Sequence, residues 1–407
     1  MESMIKIAII NQRYGQKVQG GSESYTRLLA EHLQSRFDIT VLTTTALNYD
    51  TWKNEYPAGA SRINGVKVLR FPVKRQRNMM AFRFLNKATF ILKNAGIHTD
   101  RLWAAAQGPY TPALVRYIRN HADDYDIFLF VTYLYYPAVS GLPEAAGKSI
   151  LIPTAHDEPS IHLPIYETMF RQAAAILYLT EEEKQFVQQK FHNKALPHDV
   201  IGAGIDIPGN LQTPDGRIRA VRRFRQDYQI SGDYLIYAGR VDSGKNCTEM
   251  FAFFKKYRKE HPDRIWQLVV VGKAYMKIPK HPDIRYLGYV PEEDKYAAIA
   301  GAKWLWLPSR FESLSIALLE GMALGVPGLV NGACEVLKGH CLRSRGAMYY
   351  MGYAGFAQRL EEISGMEKKA YDGMCRRAEM YVKKNYRWEL VEEKVCRLID
   401  TVRTKDV

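Results

Sequence analysis

Short apolar runs recur along the chain and alternate with stretches of helical periodicity. The first run, residues 6–10 (KIAII), reads as a strand and leads into a polar loop through Gly20 and Gly21. Behind that loop Tyr25, Leu28, Leu29 and Leu33 fall at helical spacing. Further strands are predicted over 38–43, 66–71, 127–132, 149–153 and 176–179. Thr180 followed by three glutamates marks a helix start, with a hydroxyl cap and acids at the positive end of the dipole. The pattern resets at Pro208-Gly209 and Pro214-Asp215-Gly216. A second series of strands follows over 234–238, 267–271, 284–287, 304–307 and 328–330, with helices between them. This alternation predicts parallel sheets covered by helices. The expected fold is α/β, with one unit over 1–210, a second over 211–386 and a loop-rich cleft between them. Residues 387–407 read as a terminal helix with Val391, Val395, Leu398 and Val402 on one stripe. Such a stripe must dock, on its own unit or back on the first.

Composition narrows the class. The chain has 407 residues, 47% hydrophobic and 25% charged, which suits a globular protein with a sizeable core. No apolar run reaches the 18 or more residues of a membrane span, and the first residues lack the pattern of a signal peptide. Five cysteines, an odd number without metal-ligand spacing, read as free thiols in a reducing compartment. The expected location is therefore cytoplasmic. The net charge of +14 is uneven: between Thr51 and Asn120 thirteen Lys and Arg face two acids, Glu55 and Asp100. Five arginines lie between Arg217 and Arg225. Such a field draws anions in general: nucleic acid, anionic membrane or phosphorylated substrates.

The densest chemistry lies over residues 307–327, LPSRFESLSIALLEGMALGVP. Ser313, Leu314 and Ser315 would open a helix whose first N–H groups and positive dipole end form an anion site. Glu320, more than a turn into that helix, suits two hydrogen bonds from a vicinal diol such as a ribose. Glu312, at the mouth, suits hydroxyls of whatever the phosphates carry. Arg240 and Lys245 follow the strand 234–238. Cations just past the C-terminal end of a parallel strand stand where such sheets bind ligands, Arg as a fork and Lys as a point charge. His156, in Thr154-Ala155-His156-Asp157-Glu158, follows the strand 149–153. Asp157 and Glu158 can orient its imidazole or meet an acceptor. Asp124-Tyr125-Asp126 looks like an Asp-x-Asp metal motif but immediately precedes an apolar strand, so no metal role is assigned to it. There is no G-x-G-x-x-G after a strand, which disfavours nicotinamide and flavin chemistry.

In family order, the Gly-Gly loop, His156, GAGID at 202–206, Gly239-Arg240 with Lys245, Gly272, GYVP at 288–291, Glu312 with Glu320, and Trp388 resemble family-4 glycosyltransferases of the GT-B fold. The resemblance spans the whole chain. It implies two Rossmann-like domains facing across a deep cleft, and transfer of a sugar from a nucleotide-diphosphate donor with retention and without a metal or other cofactor. It further implies that Arg240 and Lys245 hold the diphosphate, Glu320 the ribose and Glu312 the transferred sugar. His156 would contact donor hydroxyls, and Gly20 and Gly21 would admit the diphosphate. Ser313-Leu314-Ser315 departs from the family's frequent Gly-aromatic-Gly, and residues 331–341 (NGACEVLKGHC) depart from its Gly-rich acidic loop, with Glu335 a further candidate.

Residues 74–94 are basic and carry Met80, Phe84, Ala88 and Ile91 on one helical stripe beside Arg83 and Lys87. The ordinary reading packs that stripe inward and leaves the cations in water. The other reading docks the segment on an anionic membrane or a diphosphate-linked lipid, with Lys74, Arg75, Arg77 and Arg83 as acceptor contacts. The leading expectation is a retaining glycosyltransferase acting on a glycan or lipid-linked acceptor in cell-surface polysaccharide or glycolipid synthesis, peripheral on the inner face of the plasma membrane, without nucleic-acid partners. The alternatives are a non-catalytic scaffold of the same fold, or a sugar phosphorylase or epimerase.

Overall fold

The computed structural model describes residues 4–404 except Gln19, Ala95 and Ile265. The chain forms two compact units, one of residues up to 202 together with those from 388 onward, the other of residues 203–387. In the first, the strands are β1 (Lys6–Ile10), β2 (Asp38–Thr44), β3 (Gly59–Ile63), β4 (Val66–Phe71), β5 (Ile127–Val131), β6 (Ser149–Ile152), β7 (Ala175–Tyr178) and β8 (His198–Val200). They lie in the order β3-β4-β2-β1-β5-β6-β7-β8. Every pairing is parallel except β3 with β4. The central strands β5, β6 and β7 are buried along their whole length, as parallel strands covered on both faces must be.

The strand β3, polar and exposed, carries no apolar run and was not predicted. Its signal is the Asn64-Gly65 pair between it and β4, both residues at positive φ (47° and 87°), which builds a tight hairpin. The predicted helix behind the Gly-Gly loop runs from Gly21 to Leu33, starting four residues earlier than its apolar spacing suggests.

In the second unit β9 (Tyr234–Ala238), β10 (Gln267–Val271), β11 (Ile284–Gly288), β12 (Trp304–Leu307), β13 (Gly328–Asn331) and β14 (Ala347–Tyr350) form an all-parallel sheet in the order β11-β10-β9-β12-β13-β14. Trp306 stacks on Phe356 with ring centroids 4.4 Å apart and donates to Tyr350 Oη at 3.1 Å, anchoring the core on one face. The order reverses direction between β9 and β12. The crevice outside the C-terminal ends of these two strands is where such a sheet takes ligands.

The first unit ends at Gly202 rather than near residue 210. Ile205 N–H already bonds Tyr386 C=O (3.1 Å), which ties the GAGID segment to the second unit. The terminal helix Trp388–Arg403 belongs to the first unit. Its predicted stripe is buried together with Trp388 and Ile399. Trp388 stacks on His32 (centroids 4.2 Å apart), and Arg36 donates to Glu392 at 2.9 Å.

The basic amphipathic helix contradicts its ordinary reading. It spans Met79–Asn94, entered through Asn78, whose Oδ1 accepts from the N–H groups of Met80 and Ala81 (both 3.1 Å). Met80, Phe84 and Ile91 are 71%, 78% and 59% exposed. The buried face is the opposite one: Trp103 Nε1 donates to Asn86 Oδ1 (2.8 Å), Thr99 bonds Thr89 (3.0 Å), and Phe82 and Phe90 pack on the Trp103 ring. A specific aromatic and polar seam thus outcompetes the generic stripe. Among the described residues no helix is long and apolar enough to cross a membrane.

These two aromatic positions should behave oppositely. Trp388→Ala empties a packed site and should cost about 3–5 kcal/mol, read as a lowered urea midpoint of the full chain. Phe84→Ala should leave that midpoint within about 0.5 kcal/mol.

Candidate functional site

In the second unit Gly239 and Gly272 directly follow β9 and β10. A Cβ on Gly272, at φ 135°, would lie 1.9 Å from Gly239 O, so only glycine permits this close approach of the two strand ends. The chain then turns into Arg240, whose carbonyl accepts from buried Tyr237 Oη at 2.6 Å. The Arg240 guanidinium pairs with Asp242, and Asp242 Oδ1 also accepts from Lys245 N–H (2.8 Å). Asp242 therefore sets both cations. Lys245 Nζ donates to Glu312 Oε1 at 2.7 Å, joining the end of β9 to the loop after β12.

That loop is braced from behind. Pro308 C=O accepts from the side-chain amides of Asn246 and Asn331, both at 3.0 Å, and Arg310 pairs with Glu249 at 2.6 Å. Ser315 precedes the helix Ile316–Ala323 in the left-handed region (φ 68°, ψ 72°). This conformation suits the glycine of the family pattern and strains a serine. The strain is held by His340. Its fully buried ring donates from Nε2 to Leu314 C=O (2.9 Å) and accepts at Nδ1 from Tyr381 Oη (3.0 Å). Burial, reinforced by nearby Arg343, lowers the His340 pKa to about 4, so the ring is neutral. One turn into the helix, Glu320 accepts from Lys295 Nζ (2.9 and 3.1 Å) and Tyr296 Oη (2.8 Å). Desolvation first, then the Glu320 charge, holds the Tyr296 hydroxyl protonated.

The structure thus brings together Arg240, Lys245, Glu312, Ser313, Leu314, Ser315 and Glu320, all predicted. Asp242, Lys295, Tyr296 and His340 were missed. Their partners lie 25 or 26 residues away for Lys295 and His340, and no local pattern encodes such pairings. Glu335 opens the helix Glu335–Ser344 and pairs with Lys338 (3.6 Å) on an exposed face.

In the first unit Thr132 and Thr154 follow the neighbouring strands β5 and β6 at φ 69° and 50°. Two β-branched residues at positive φ mark a strained strand-end edge. His156 lies there, Nε2 3.8 Å from Glu158 Oε2, and Glu158 Oε1 accepts from Tyr133 Oη at 2.5 Å. Asp157 turns away and pairs with His162 (2.7 Å), which meets Lys190 at 2.8 Å, so Glu158 alone of the two acids faces the imidazole. Buried Glu183 was read only as a first-turn acid. It accepts from Ala155 N–H (2.5 Å) and Leu179 N–H (2.6 Å), clamping the loop that carries His156. Burial raises its pKa to about 8, against the backbone donors that favour the carboxylate.

Glu23 folds over Gly20, where a Cβ would lie 2.1 Å from its Oε2, and pairs with buried Arg13. A Cβ on Gly21 would meet only open space. Among the proposed acceptor cations, Lys74, Arg75 and Arg83 are exposed. Arg77 is instead structural: it lies over the Trp52 and Phe82 rings, donates to Tyr49 C=O (3.3 Å) and to Gln107 C=O, and is lowered to about 10 by burial. Asp126 accepts from Lys6 N–H (2.8 Å) and Asp124 meets His121 (2.6 Å). Among the described residues no group of three or more His, Cys, Asp or Glu is placed to hold a metal ion.

The chain covers 98% of its length against sucrose-phosphate synthase from Thermosynechococcus elongatus, and all of that chain (TM-score 0.71, 13% identity). It matches WaaG, a glycosyltransferase involved in lipopolysaccharide biosynthesis, over 95% of this chain and 98% of that one (TM-score 0.64, 14% identity). The fold is GT-B. Residues 232–360 match the family model described as glycosyl transferases group 1, and this segment contains Arg240, Lys245, Glu312 and Glu320. Two curated relatives are the O-antigen chain mannosyltransferase B of Escherichia coli, 31% identical over 25% of this chain and 29% of that one, and the D-inositol 3-phosphate glycosyltransferase of Jonesia denitrificans, 22% identical over 44% and 45%. The chain spans less than half the length of either relative.

His340 offers a pH test of the loop brace. Its pKa falls from 6.5 to about 4 on folding. The folded state therefore binds fewer protons between these values, and stability that is full above 6.5 is lost as pH falls toward 4. The loss should be about 3 kcal/mol, read as the difference between wild type and His340→Gln in urea titrations at several pH values, because buried Glu183, with its raised pKa, gains stability over the same range in both.

Proposed function

We propose that this protein is a retaining glycosyltransferase of family 4. It moves a sugar from a nucleotide-diphosphate donor to a hydroxyl of a glycan or lipid-linked acceptor in cell-surface polysaccharide or glycolipid synthesis. One observation carries the reading. Two cations and two carboxylates converge at the β9–β12 switch point, beside a helix N-terminus, inside the segment that matches the group 1 family. Two similar structures support a nucleotide-sugar substrate: HepE from Anabaena in complex with UDP-glucose, and an Escherichia coli trehalose-6-phosphate protein bound with UDP-2-fluoro glucose.

In this reading Arg240, Lys245 and the first amides of the helix Ile316–Ala323 bind the diphosphate and stabilise it as it leaves. The bond from the anomeric carbon to the diphosphate oxygen breaks while the acceptor oxygen bonds that carbon from the same face. The acceptor proton passes to the departing phosphate. Glu320 exchanges Lys295 and Tyr296 for the two ribose hydroxyls, and Glu312 exchanges Lys245 for a hydroxyl of the sugar. The diphosphate charge is met by these protein groups without a divalent ion. His156, Glu158 and Tyr133 form a polar group at the strand ends of the first unit, where we place the acceptor, and His156 contacts hydroxyls of the transferred sugar.

Thermal stabilisation by UDP, GDP, ADP and dTDP, with and without Mg²⁺, tests this. One base should raise the melting temperature without metal, by mass action. Arg240→Ala should weaken that nucleotide by about 1.5–3 kcal/mol, and Glu320→Ala should weaken it as well. No response to any nucleotide would remove the donor site.

A further inference from the structure

Six of the large hydrophobic side chains exposed on this protein fall between Met79 and Leu102: Met79, Met80, Phe84, Ile91, Ile97 and Leu102, five of them more than half exposed. Scattered singly these would need no explanation, but Met80, Phe84 and Ile91 share one face of one helix, and exposed apolar patches rimmed by polar groups mark interaction sites. At 100° per residue Met80, Phe84, Lys87 and Ile91 fall within one narrow stripe of the helix Met79–Asn94, with Arg83 beside it. The stripe therefore carries cations on long apolar stems next to its hydrophobic groups, the arrangement that places stems in hydrocarbon and charges among headgroups.

The inner face of the helix is already committed to Trp103 through Asn86, Phe82 and Phe90, so the helix cannot roll its apolar stripe inward without breaking that seam. Charge decides what covers the outer face. From Lys74 to His98 there are six cations and no acid. Lys74, Arg75, Arg83 and Lys87 are exposed, whereas Asp100, the first acid that follows in sequence, is buried, only 8% exposed. A second copy of the chain would bring the same positive field to the contact and be repelled. A negatively charged bilayer is attracted by it and also accepts the apolar groups.

We propose that the outer face of the helix Met79–Asn94 is a docking surface for anionic lipid bilayers, with Met80, Phe84 and Ile91 entering the headgroup–acyl boundary and Arg83 and Lys87 contacting lipid phosphates. The proposal goes beyond the donor-site reading and stands whether or not that reading does.

The test is co-sedimentation of the full chain with vesicles of phosphatidylcholine alone, or with roughly a third phosphatidylglycerol. Wild type should pellet with the anionic vesicles, not the neutral ones, and release as salt rises. Arg83→Glu with Lys87→Glu should weaken binding roughly 25-fold or more, at about fivefold per cation. Phe84→Ser with Ile91→Ser should weaken it at least tenfold. Both variants should keep the wild-type melting temperature and nucleotide response, which separates this test from that of the donor site. The proposal is overturned if wild type stays in the supernatant, or if either variant pellets like wild type. It is also overturned if wild type sediments as a dimer that Phe84→Ser with Ile91→Ser converts to monomer, because the face then belongs to a second copy.

Discussion

The second unit's site depends on the turn into the helix Ile316–Ala323. Its backbone must enter the helix through a left-handed residue, and the sequence supplies a serine there. A non-glycine residue held in that region costs on the order of 1–3 kcal/mol. The surrounding structure must therefore over-determine the turn, and it does so from several directions. Neutral His340 holds the Leu314 carbonyl, Asn246 and Asn331 share the Pro308 carbonyl, and Lys245 holds Glu312. Without these the turn would relax, the helix amides would lose their aim, and Glu312 and Glu320 would no longer share one edge of the sheet. The tyrosines behind His340 matter for the same reason, since they fix its tautomer with the proton on Nε2.

The charges at this edge are paired before any ligand arrives, which has an energetic logic. A carboxylate and an ammonium about 4 Å apart attract by about 4 kcal/mol at an effective dielectric near 20. Leaving either one half-buried and alone would forfeit that and retain the desolvation cost. Paired, each side chain is ordered and pre-aimed, so a ligand that replaces the internal partner pays little of the rotamer entropy a free lysine would demand. A diphosphate offers Lys245 more negative charge than one glutamate does. A diol offers Glu320 two donors in place of those from Lys295 and Tyr296. Partner exchange, rather than capture by free groups, is the chemistry this arrangement suits.

Much of this was legible in the chain. The fully buried parallel strands are apolar on both faces and announce themselves, whereas β8 and β14, parallel but only partly buried, were missed; Arg240, Lys245, Glu312 and Glu320 lie directly at strand and helix ends, where sequence position and spatial position coincide. The strand β3 was illegible by hydrophobicity because its residues face water, although Asn64-Gly65 encoded the hairpin. Asp242 stood inside the inspected motif but looked like an ordinary loop acid. Lys295, Tyr296, Glu183 and His340 belong to the sites only through tertiary pairing, and their local sequences read equally well as a solvated helix face, a first-turn acid or a buried histidine.

The helix Met79–Asn94 shows a deeper limit, because there the periodicity was right and the inference from it was reversed. A hydrophobic stripe states that a face prefers to leave water; it does not state what will cover it. Within the chain the competing face offers Trp103 a buried hydrogen bond from its indole to Asn86, together with two aromatic contacts. An unsatisfied buried indole N–H would cost about 1–3 kcal/mol, comparable to the burial of one Phe or Met side chain. Specific pairing can therefore outweigh part of the apolar gain and fix the rotation of the helix. The exposed stripe then remains as unspent hydrophobic free energy on the surface. Cations along the same stripe oppose pairing with a like-charged copy and favour a surface that supplies apolar volume and negative charge together.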